Sequence, residues 1–199
     1  WSVARNQNIL WRAPLPNGGQ SGIAVWNDRI FLTTFEPYKP GSPKTSATIL
    51  GHAIDARTGK ILWSVRLEGS VPSPLMYAYS DSTSPTPITD GAHVWFFNAS
   101  GAMGCWDFNG KEIWTRHYKP WGEPYPFNKQ HEPILYGNTI VNVEPADPGP
   151  DQKPGWNYLR GIDKLTGKTL WISDDGATTY VTSVFGYRKD GAPAILTAR

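Results

Sequence analysis

Several short runs of this sequence contain residue types that bind phosphate or attack substrates in other proteins. LTGKT, 165–169, ends in Gly-Lys-Thr as phosphate-binding loops do, but such a loop also needs a glycine at position 162, where this chain has Ile162, and a helix after it. Ser21 in GGQSGI does not fit a nucleophile elbow, because the final glycine of that motif is misplaced. We therefore interpret the first run as a hairpin turn and the second as a loop.

Histidines and carboxylates show no metal-binding pattern in the sequence. The chain has four histidines, His52, His93, His117 and His131. No two of them are spaced so that both rings would reach one metal without help from the fold. The run EPADPGPD contains three carboxylates that could offer oxygens to calcium, Glu144, Asp147 and Asp151, but the ligand spacing of an EF-hand is absent. We predict no metal site and interpret this acidic run as a solvated insertion.

The segment RHYKPWGEPYPFNKQHE, 116–132, is the main candidate for ligand binding. Its aromatic side chains could stack on a sugar ring, a peptide or a protein surface, beside polar side chains that could form hydrogen bonds. The aromatic candidates are Trp121, Tyr125 and Phe127, and the polar candidates are His117, Glu123, Lys129, His131 and Glu132. The alternative is that the aromatics only cover a seam between structural units. A second candidate, 35–47 with Tyr38 and Lys39, could equally be a plain Pro-rich loop.

Composition excludes several classes of partner. The 19 Lys and Arg are scattered among 17 acidic residues for a formal charge of +2, so the electrostatic pattern of a nucleic-acid-binding protein is missing. Cys105 is the only cysteine, which excludes an intrachain disulfide and a cysteine-based zinc cluster. No apolar run approaches the length of about 18 residues that a membrane span needs. The chain opens at Trp1 with no leader-like segment, so we expect that a leader was removed or that the sequence belongs to something longer.

Tryptophan-ended runs recur along the whole chain. NILW, GKILW, GKEIW and GKTLW close on Trp11, Trp63, Trp114 and Trp171, at intervals of 52, 51 and 57 residues. Such a period fits one four-stranded sheet per repeat. Within each period, four apolar or β-branched runs are separated by turn residues, and no window keeps a helical apolar period. We therefore predict antiparallel four-stranded sheets and almost no helix.

A tight turn precedes each of the last three tryptophans. The turn aspartates are Asp55, Asp107 and Asp163, and the turn glycines are Gly59, Gly110 and Gly167. Glycine supplies the positive φ that such a turn needs, and the aspartate can accept hydrogen bonds from the turn backbone. Two places before each aspartate stands a small residue, Ala53, Cys105 or Gly161, which leaves room for a large neighbour. We predict that the tryptophan of one sheet packs against the flat turn of the next.

These residues resemble the tryptophan-docking motif Ala-x-Asp-x-x-Thr-Gly-x-x-x-Trp of propellers similar to those of pyrroloquinoline-quinone enzymes. AIDARTGKILW fits it at every position, GIDKLTGKTLW departs from it by Gly161 in place of Ala, and CWDFNGKEIW is one residue shorter with Cys105 in the small position. The resemblance covers essentially the whole chain. It implies an all-β fold, a β-propeller of four-stranded antiparallel blades, with about half of a ring present.

The resemblance also divides the chain, taken as a single propeller segment over 1–199, into blades. The complete blades are expected at 20–69, 84–119 and 130–174, and partial blades at 1–15 and 178–199. NILWR would be the outermost strand of the first partial blade. Propellers close with roughly four to eight blades, so we expect the rest of the ring to lie outside this segment.

The resemblance implies two classes of function. We predict a noncatalytic binding or scaffold propeller, periplasmic or secreted, that recognises a protein or carbohydrate partner through its inter-blade loops. The alternative is an enzyme, either a quinone-dependent dehydrogenase or a propeller acting on polysaccharide. Such dehydrogenases typically hold pyrroloquinoline quinone between a tryptophan and a disulfide of adjacent cysteines, with calcium ligands and an aspartate base nearby. Cys105 alone cannot form that disulfide, so we predict no cofactor for this chain, with pyrroloquinoline quinone and calcium as the alternative.

Overall fold

The protein is built from β-strands alone in the part of the chain that the structure describes. The computed structural model describes residues 1–37, 41, 45–74, 81–120, 132–146, 152–153, 156–177 and 183–197. Fourteen strands lie in these ranges and no helix does, which confirms the predicted fold class. Among the same residues, therefore, no helix is long and apolar enough to cross a membrane.

Three successive four-stranded sheets and one two-stranded sheet follow each other along the chain. The first sheet contains β1 (Ala24–Trp26), β2 (Arg29–Phe35), β3 (Thr45–Asp55) and β4 (Ile61–Pro74). The second contains β5 (Ile88–Thr89), β6 (His93–Asn98), β7 (Ala102–Asp107) and β8 (Glu112–His117). The third contains β9 (Ile134–Tyr136), β10 (Thr139–Pro145), β11 (Asn157–Asp163) and β12 (Thr169–Gly176). The fourth contains β13 (Val184–Tyr187) and β14 (Pro193–Leu196).

Every sheet is an antiparallel meander in which neighbouring strands are also neighbours in sequence. Consecutive connections therefore lie alternately at the two ends of the strands, and we refer to each of these ends as an edge of the array. One edge carries the tight turns, including the turns that begin at Asp55, Asp107 and Asp163. The opposite edge carries the longer connections, including the predicted binding segment between β8 and β9. We call these the turn edge and the loop edge.

A one-residue bulge lies beside each of the last three tryptophans. Ala53 pairs with Trp63 but Ile54 pairs with Ile61, so one residue of β4 is unmatched. The same shift follows the pairs Cys105 with Trp114 and Gly161 with Trp171. A bulge turns the side chains of its strand relative to the partner strand. The repeated shift therefore gives all three tryptophans the same orientation.

The core lies in the seams between successive sheets. Phe31, Ile49, Val94, Phe96 and Trp106 form a buried cluster between the first and second sheets. A second cluster joins the second and third sheets, and a smaller one joins the third and fourth. Sheets packed face to face in sequence, without closure among the described residues, form an open segment of a β-propeller.

The predicted outer strand at NILWR does not form. Among residues 1–23 the structure has only an isolated bridge between Ser2 and Gln7, and the first strand begins at Ala24. A strand requires a hydrogen-bonded neighbour, and none of the described strands runs beside this segment. Trp11 nevertheless contacts the first sheet, as described below.

Candidate functional site

The turn aspartates are committed to their own turns. Asp55 Oδ1 accepts hydrogen bonds from the Thr58 hydroxyl and from the backbone N–H of Arg57 and Thr58, at 2.8 to 3.0 Å. Hydrogen bonding by Thr58 holds the pKa of Asp55 below its ordinary value. Asp163 makes the equivalent contacts with Leu165 and Thr166. These carboxylates stabilise hairpins.

Asp107 completes the set with a shorter turn. Its Oδ1 accepts from the backbone N–H groups of Asn109 and Lys111 at 2.8 and 2.9 Å. Both hydrogen bonds lower the pKa of the Asp107 carboxyl, and the one from the Lys111 N–H has the larger effect. A turn without threonine therefore still engages its aspartate.

Trp11, Trp63 and Trp114 each contact the aspartate turn of the sheet that comes next along the chain. The hydrogen bonds run from Trp11 Nε1 to Ala56 O, from Trp63 Nε1 to Phe108 O and from Trp114 Nε1 to Lys164 O, each at 2.9 Å. In every case the acceptor is the carbonyl directly after the turn aspartate. The same turns bring their glycines against the indole rings, since a Cβ on Gly59, Gly110 or Gly167 would lie 2.5 to 3.0 Å from Trp11, Trp63 or Trp114.

Small residues provide space for the tryptophans within their own sheets. Cys105 stands opposite Trp114, and Gly161 stands opposite Trp171, where an added Cβ would lie 2.1 Å from the ring. Cys105 is fully buried, and burial raises the pKa of its thiol to about 12. A thiol that stays protonated at neutral pH is a poor nucleophile, because the thiolate is the reactive form.

The structure describes only the two ends of the predicted binding segment. Residues 121–131, with Trp121, Glu123, Tyr125, Phe127, Lys129 and His131, lie outside the described residues. At the first end, His117 Nε2 lies 2.9 Å from Glu68 O of the first sheet. At the second end, Glu132 Oε2 accepts a 2.7 Å hydrogen bond from the Thr86 N–H. Both polar candidates that are described therefore connect this segment to neighbouring parts of the fold.

A buried charge cluster lies beside the first end of this segment. Arg116 of β8 and Arg160 of β11 both contact Glu144 Oε2 of β10, at 2.8 and 3.2 Å. Glu144 is 1% exposed and Arg160 is 2% exposed, so the prediction of a solvated acidic run was wrong for Glu144. Asp147 and Asp151 lie outside the described residues. A buried carboxylate requires such partners, because an isolated charge is costly to bury.

Tyr118 belongs to the first end of the binding segment and lies close to this cluster. Burial raises the pKa of its hydroxyl above the ordinary value, the nearby Glu144 charge raises it further, and a hydrogen bond with Asn142 opposes both. The Tyr118 N–H also donates to Gly101 O at 3.0 Å. The residues just before 121–131 are thus held on both the second and the third sheets.

A second ion pair joins the turn edges of the second and third sheets. Lys164 Nζ lies 2.9 Å from Asp90 Oδ2, with both side chains mostly buried. Burial raises the pKa of Asp90, but hydrogen bonds from Lys164 and from the Ala92 and His93 N–H groups outweigh it and bring the pKa to about 2. The Lys164 carbonyl also accepts from Trp95 Nε1 at 2.9 Å, in addition to Trp114.

His52 is the only described histidine that is fully buried. Its Nε2 lies 2.9 Å from Thr34 Oγ1, and its Nδ1 lies 2.8 Å from Ser64 Oγ. Burial lowers the pKa of His52 to about 4, so the ring is neutral at pH 7. A ring enclosed in this way joins three strands of the first sheet and cannot reach a substrate.

Calcium, the metal of the pyrroloquinoline-quinone alternative, needs several oxygen ligands close together. Among the described residues, no three His, Cys, Asp or Glu side chains lie close enough together to hold a metal ion. The carboxylates of Asp90 and Glu144 are paired with cationic side chains, and the turn aspartates hold their turns.

One apolar cavity of about 470 Å³ lies between the third and fourth sheets. It is lined by Tyr136, Val141, Leu159, Trp171, Phe185 and Ile195, among others.

Of the second loop candidate, 35–47, the structure describes only part, because Tyr38 and Lys39 lie outside the described residues. Its neighbour Glu36 forms an exposed ion pair with Arg66 at 2.9 Å.

Comparison with solved structures finds proteins of similar fold. BamB from Moraxella catarrhalis superposes with a TM-score of 0.51 at 19% identity, over 82% of this chain and 39% of that protein. Quinohemoprotein alcohol dehydrogenase from Comamonas testosteroni gives 0.50 at 16% identity, over 79% of this chain and 21% of that protein. At these identities the likeness concerns the fold.

Sequence comparison adds a relative and a family. Quinoprotein glucose dehydrogenase A from Acinetobacter calcoaceticus is 32% identical over 93 residues, which is 46% of this chain and 11% of that enzyme. The chain thus spans well under half of the length of each of these relatives. The family described as outer membrane protein assembly factor BamB matches residues 2–195. The repeats, the open array of sheets and this match together show that the chain belongs to the BamB family of pyrroloquinoline-quinone-like propellers.

Proposed function

We propose that this chain is a noncatalytic scaffold outside the cytoplasm that binds a protein partner of outer-membrane assembly through its loop edge. The family's printed description supports this class of partner. The observation that carries the proposal is that both described ends of the β8–β9 connection are held by hydrogen bonds, His117 to Glu68 of the first sheet and Glu132 to Thr86 just before β5. A segment fixed at both ends presents its side chains with a smaller entropy loss on binding.

The aromatic composition of 121–131 supports a protein surface as the ligand. Trp121, Tyr125 and Phe127 belong to the residue types that most often contribute large binding energies at interfaces, and Lys129 and His131 supply polar contacts at a rim. The buried pairs of Glu144 with Arg116 and Arg160 give this segment a rigid base.

Photocrosslinking tests this proposal directly. A photoreactive amino acid is placed at position 121 or 125, and the matched control is position 187, an exposed tyrosine of β13. Each purified protein is irradiated with outer membranes of the organism that produces this chain, and the adducts are identified by mass spectrometry. We expect one outer-membrane assembly protein at 121 and 125, and none at 187. Equal adducts at all three positions would refute the proposal.

A carbohydrate ligand for the same segment predicts a different result. Stacking of Trp121 on a sugar ring would give saturable binding in an oligosaccharide panel and loss of that binding in W121A. The same variant measures the protein partner's dissociation constant, with Y187A as the control. A protein partner predicts a loss of about 2 kcal/mol or more for W121A, and little change for Y187A.

A quinone-dependent dehydrogenase is the second candidate function, favoured by the 32% identity with quinoprotein glucose dehydrogenase A over 93 residues. It predicts that pyrroloquinoline quinone with calcium raises the melting temperature and changes the quinone absorption spectrum. The scaffold proposal predicts neither change. The Cys105→Ala variant should behave as the parent in this assay, because the thiol is buried opposite Trp114.

A further inference from the structure

The outer strand of the first sheet bulges toward the second sheet at the loop edge. Residues 69–72 of β4 lie opposite a single residue of β3, Ala47. The N–H groups of Ser70 and Val71 in this bulge donate to Ser100 O, at 2.8 and 3.2 Å. Ser100 belongs to the turn between β6 and β7. A bulge leaves backbone groups without a partner in their own sheet, and here those groups hold a turn of the next sheet.

Asn98, the last residue of β6, is fully buried beside this contact. Its side-chain amide donates to Ala47 O at 2.7 Å and to Leu67 O at 2.9 Å, both in the first sheet. Its Oδ1 accepts from the Ser100 N–H at 2.9 Å. The orientation of the amide follows from these partners, because the two carbonyls only accept and the N–H only donates. Asn98 therefore joins two strands of the first sheet to the β6–β7 turn.

The β6–β7 turn holds the first end of the binding segment. Gly101 O accepts from the Tyr118 N–H and from the Ser70 hydroxyl, each at 3.0 Å. Gly101 has φ of 103°, and a Cβ there would overlap the Tyr118 carbonyl, so this close approach requires glycine. His117 Nε2 lies 2.9 Å from Glu68 O, directly before the bulge. The segment thus begins on a base that the first and second sheets build together.

The other sheets show that the repeat itself does not require an asparagine at this position. Three residues after the partner of the small residue, the second strands carry Thr34, Asn98 and Glu144 in turn. All three are buried and polar. Thr34 bonds His52 within its own sheet, and Glu144 holds Arg116 of the preceding sheet. The side chain at this position therefore varies with what it holds, and in the second sheet it holds the base of the binding segment.

We propose that Asn98 is a positioning residue for partner binding at the loop edge. It fixes the β6–β7 turn against the first sheet, and that turn fixes Tyr118 directly before the segment. Because Asn98 is fully buried, it acts through the turn and not by touching the partner. A base held from two sheets lowers the entropy that the segment loses on binding. The inference rests on the function proposed above for this segment.

The first test compares the partner affinity of two variants of the same strand. Asn98→Ala removes the three hydrogen bonds, and the control Val94→Ala removes buried apolar atoms near the turn edge of β6. Each carries the photoreactive residue at 121, and adduct yield with outer membranes is titrated while both proteins are folded. We expect about tenfold weaker binding for Asn98→Ala and a change within about twofold for Val94→Ala. Equal affinity of Asn98→Ala and the parent, or equal losses in both variants, would overturn the proposal.

The second test needs no partner and measures amide hydrogen exchange in the intact protein. Asn98→Ala should speed exchange of the Tyr118 N–H about tenfold, and Val94→Ala should leave it unchanged. Unchanged exchange in Asn98→Ala would overturn the positioning role whether or not a partner is captured. Absence of any adduct in the parent, with faster exchange in Asn98→Ala, would instead refute the function proposed for the segment.

Ser70→Ala keeps the proposal testable if Asn98→Ala does not fold. Ser70 is exposed, and its hydroxyl is the second donor to Gly101 O. Its loss should speed Tyr118 exchange and weaken partner binding by about twofold to threefold, because one hydrogen bond of the base is removed. Parent-like values for both measurements would contradict the role of this turn.

Discussion

The seam between the first and second sheets differs from the seam between the second and third, although both use the same tryptophan and turn. At the first seam, Trp63 lies among rings, with Phe31 at 6.1 Å and Phe96 at 6.2 Å between centroids. At the second seam, Trp114 lies near two buried ion pairs, Arg116 with Glu144 and Asp90 with Lys164. Both seams have the same bulge and the same hydrogen bond from an indole to a turn carbonyl, but the side chains around the indole differ.

The difference teaches that geometry and energy have separate sources here. The bulge and the turn carbonyl fix how one sheet meets the next, because they recur with the same register. Aromatic burial then supplies stability at the first seam, and it is insensitive to pH. Ion pairs at the second seam add strength that depends on protonation and on complete pairing.

The largest effect should come from Glu144→Leu, which leaves Arg116 and Arg160 near each other in the second seam. Removing one partner from a buried ion cluster costs about 3–5 kcal/mol. The free energy of unfolding in urea measures this loss. The control Glu112→Leu, on exposed β8, should change it by less than about 0.5 kcal/mol. A loss below about 1 kcal/mol for Glu144→Leu would mean that the charges are well solvated.

Gly167→Ala should be the next most damaging change, at about 3 kcal/mol, because it combines a left-handed backbone with a clash. Gly167 has φ of 69°, and a Cβ there would lie 2.6 Å from Trp114. Gly137 in the same sheet has φ of 55° but open space around it. Gly137→Ala should therefore show the backbone cost alone, about 1–2 kcal/mol. Equal losses would show that the indole does not press on the turn.

Acid should act on the first sheet through His52. Because the folded pKa is about 4 and the ordinary value is 6.5, the unfolded chain binds a proton in this range that the folded chain does not. Stability should fall as pH decreases from about 6.5 to about 4, by about 2–3 kcal/mol, and then level off. His52→Gln should flatten this slope in urea titrations at several pH values.

The second seam should respond to acid in a lower window. Asp90 has a folded pKa of about 2, so the stability it contributes is present above its ordinary value of 3.8 and is lost as pH falls toward 2. Lys164→Met should remove part of this loss and leave the His52 window unchanged. A slope between pH 6.5 and 4 that depends on Lys164 would contradict the assignment of the two windows.

The smallest contrast concerns two single hydrogen bonds. Trp63→Phe deprives Phe108 O of its indole donor, whereas after Trp114→Phe the Lys164 carbonyl still accepts from Trp95. An unmade hydrogen bond of this kind costs about 1 kcal/mol. Trp63→Phe should therefore lower the free energy of unfolding by about 1 kcal/mol more than Trp114→Phe. The reverse order would show that ring packing outweighs the donor.

The repeating parts of this fold could be predicted from the sequence because they are local. Asp55, Gly59 and Trp63 lie within one hairpin, so turn chemistry and spacing alone indicate the strands and their order. The predicted strand at NILWR is absent because a strand needs a hydrogen-bonded neighbour, and the spacing of tryptophans along the sequence does not show whether such a neighbour is present. Sheet membership is a property of pairs of segments.

The buried polar groups could not be predicted because they depend on what lies across a seam. Glu144 occurs in an acidic, proline-rich run that resembles a solvated loop, and its burial is tolerable because Arg116 from another sheet and Arg160 of the neighbouring strand both pair with it. One feature of the sequence indicated this burial. Glu144 lies within TIVNVEP, the second strand of its sheet, and this strand is buried on both faces. A charge inside such a strand indicates a cationic partner nearby.

Among the described residues, the carbonyl that follows each turn aspartate accepts a hydrogen bond from an indole that precedes its sheet in the chain: Trp11 for the first sheet, and tryptophans of the adjacent preceding sheet for the second and third. Cohesion therefore passes along the array by nearest neighbours, as in a linear lattice of coupled units. A substitution that destabilises one seam should therefore affect mainly the two sheets that share it. Amide hydrogen exchange should be slowest in the second sheet, because that sheet packs against a four-stranded sheet on each side.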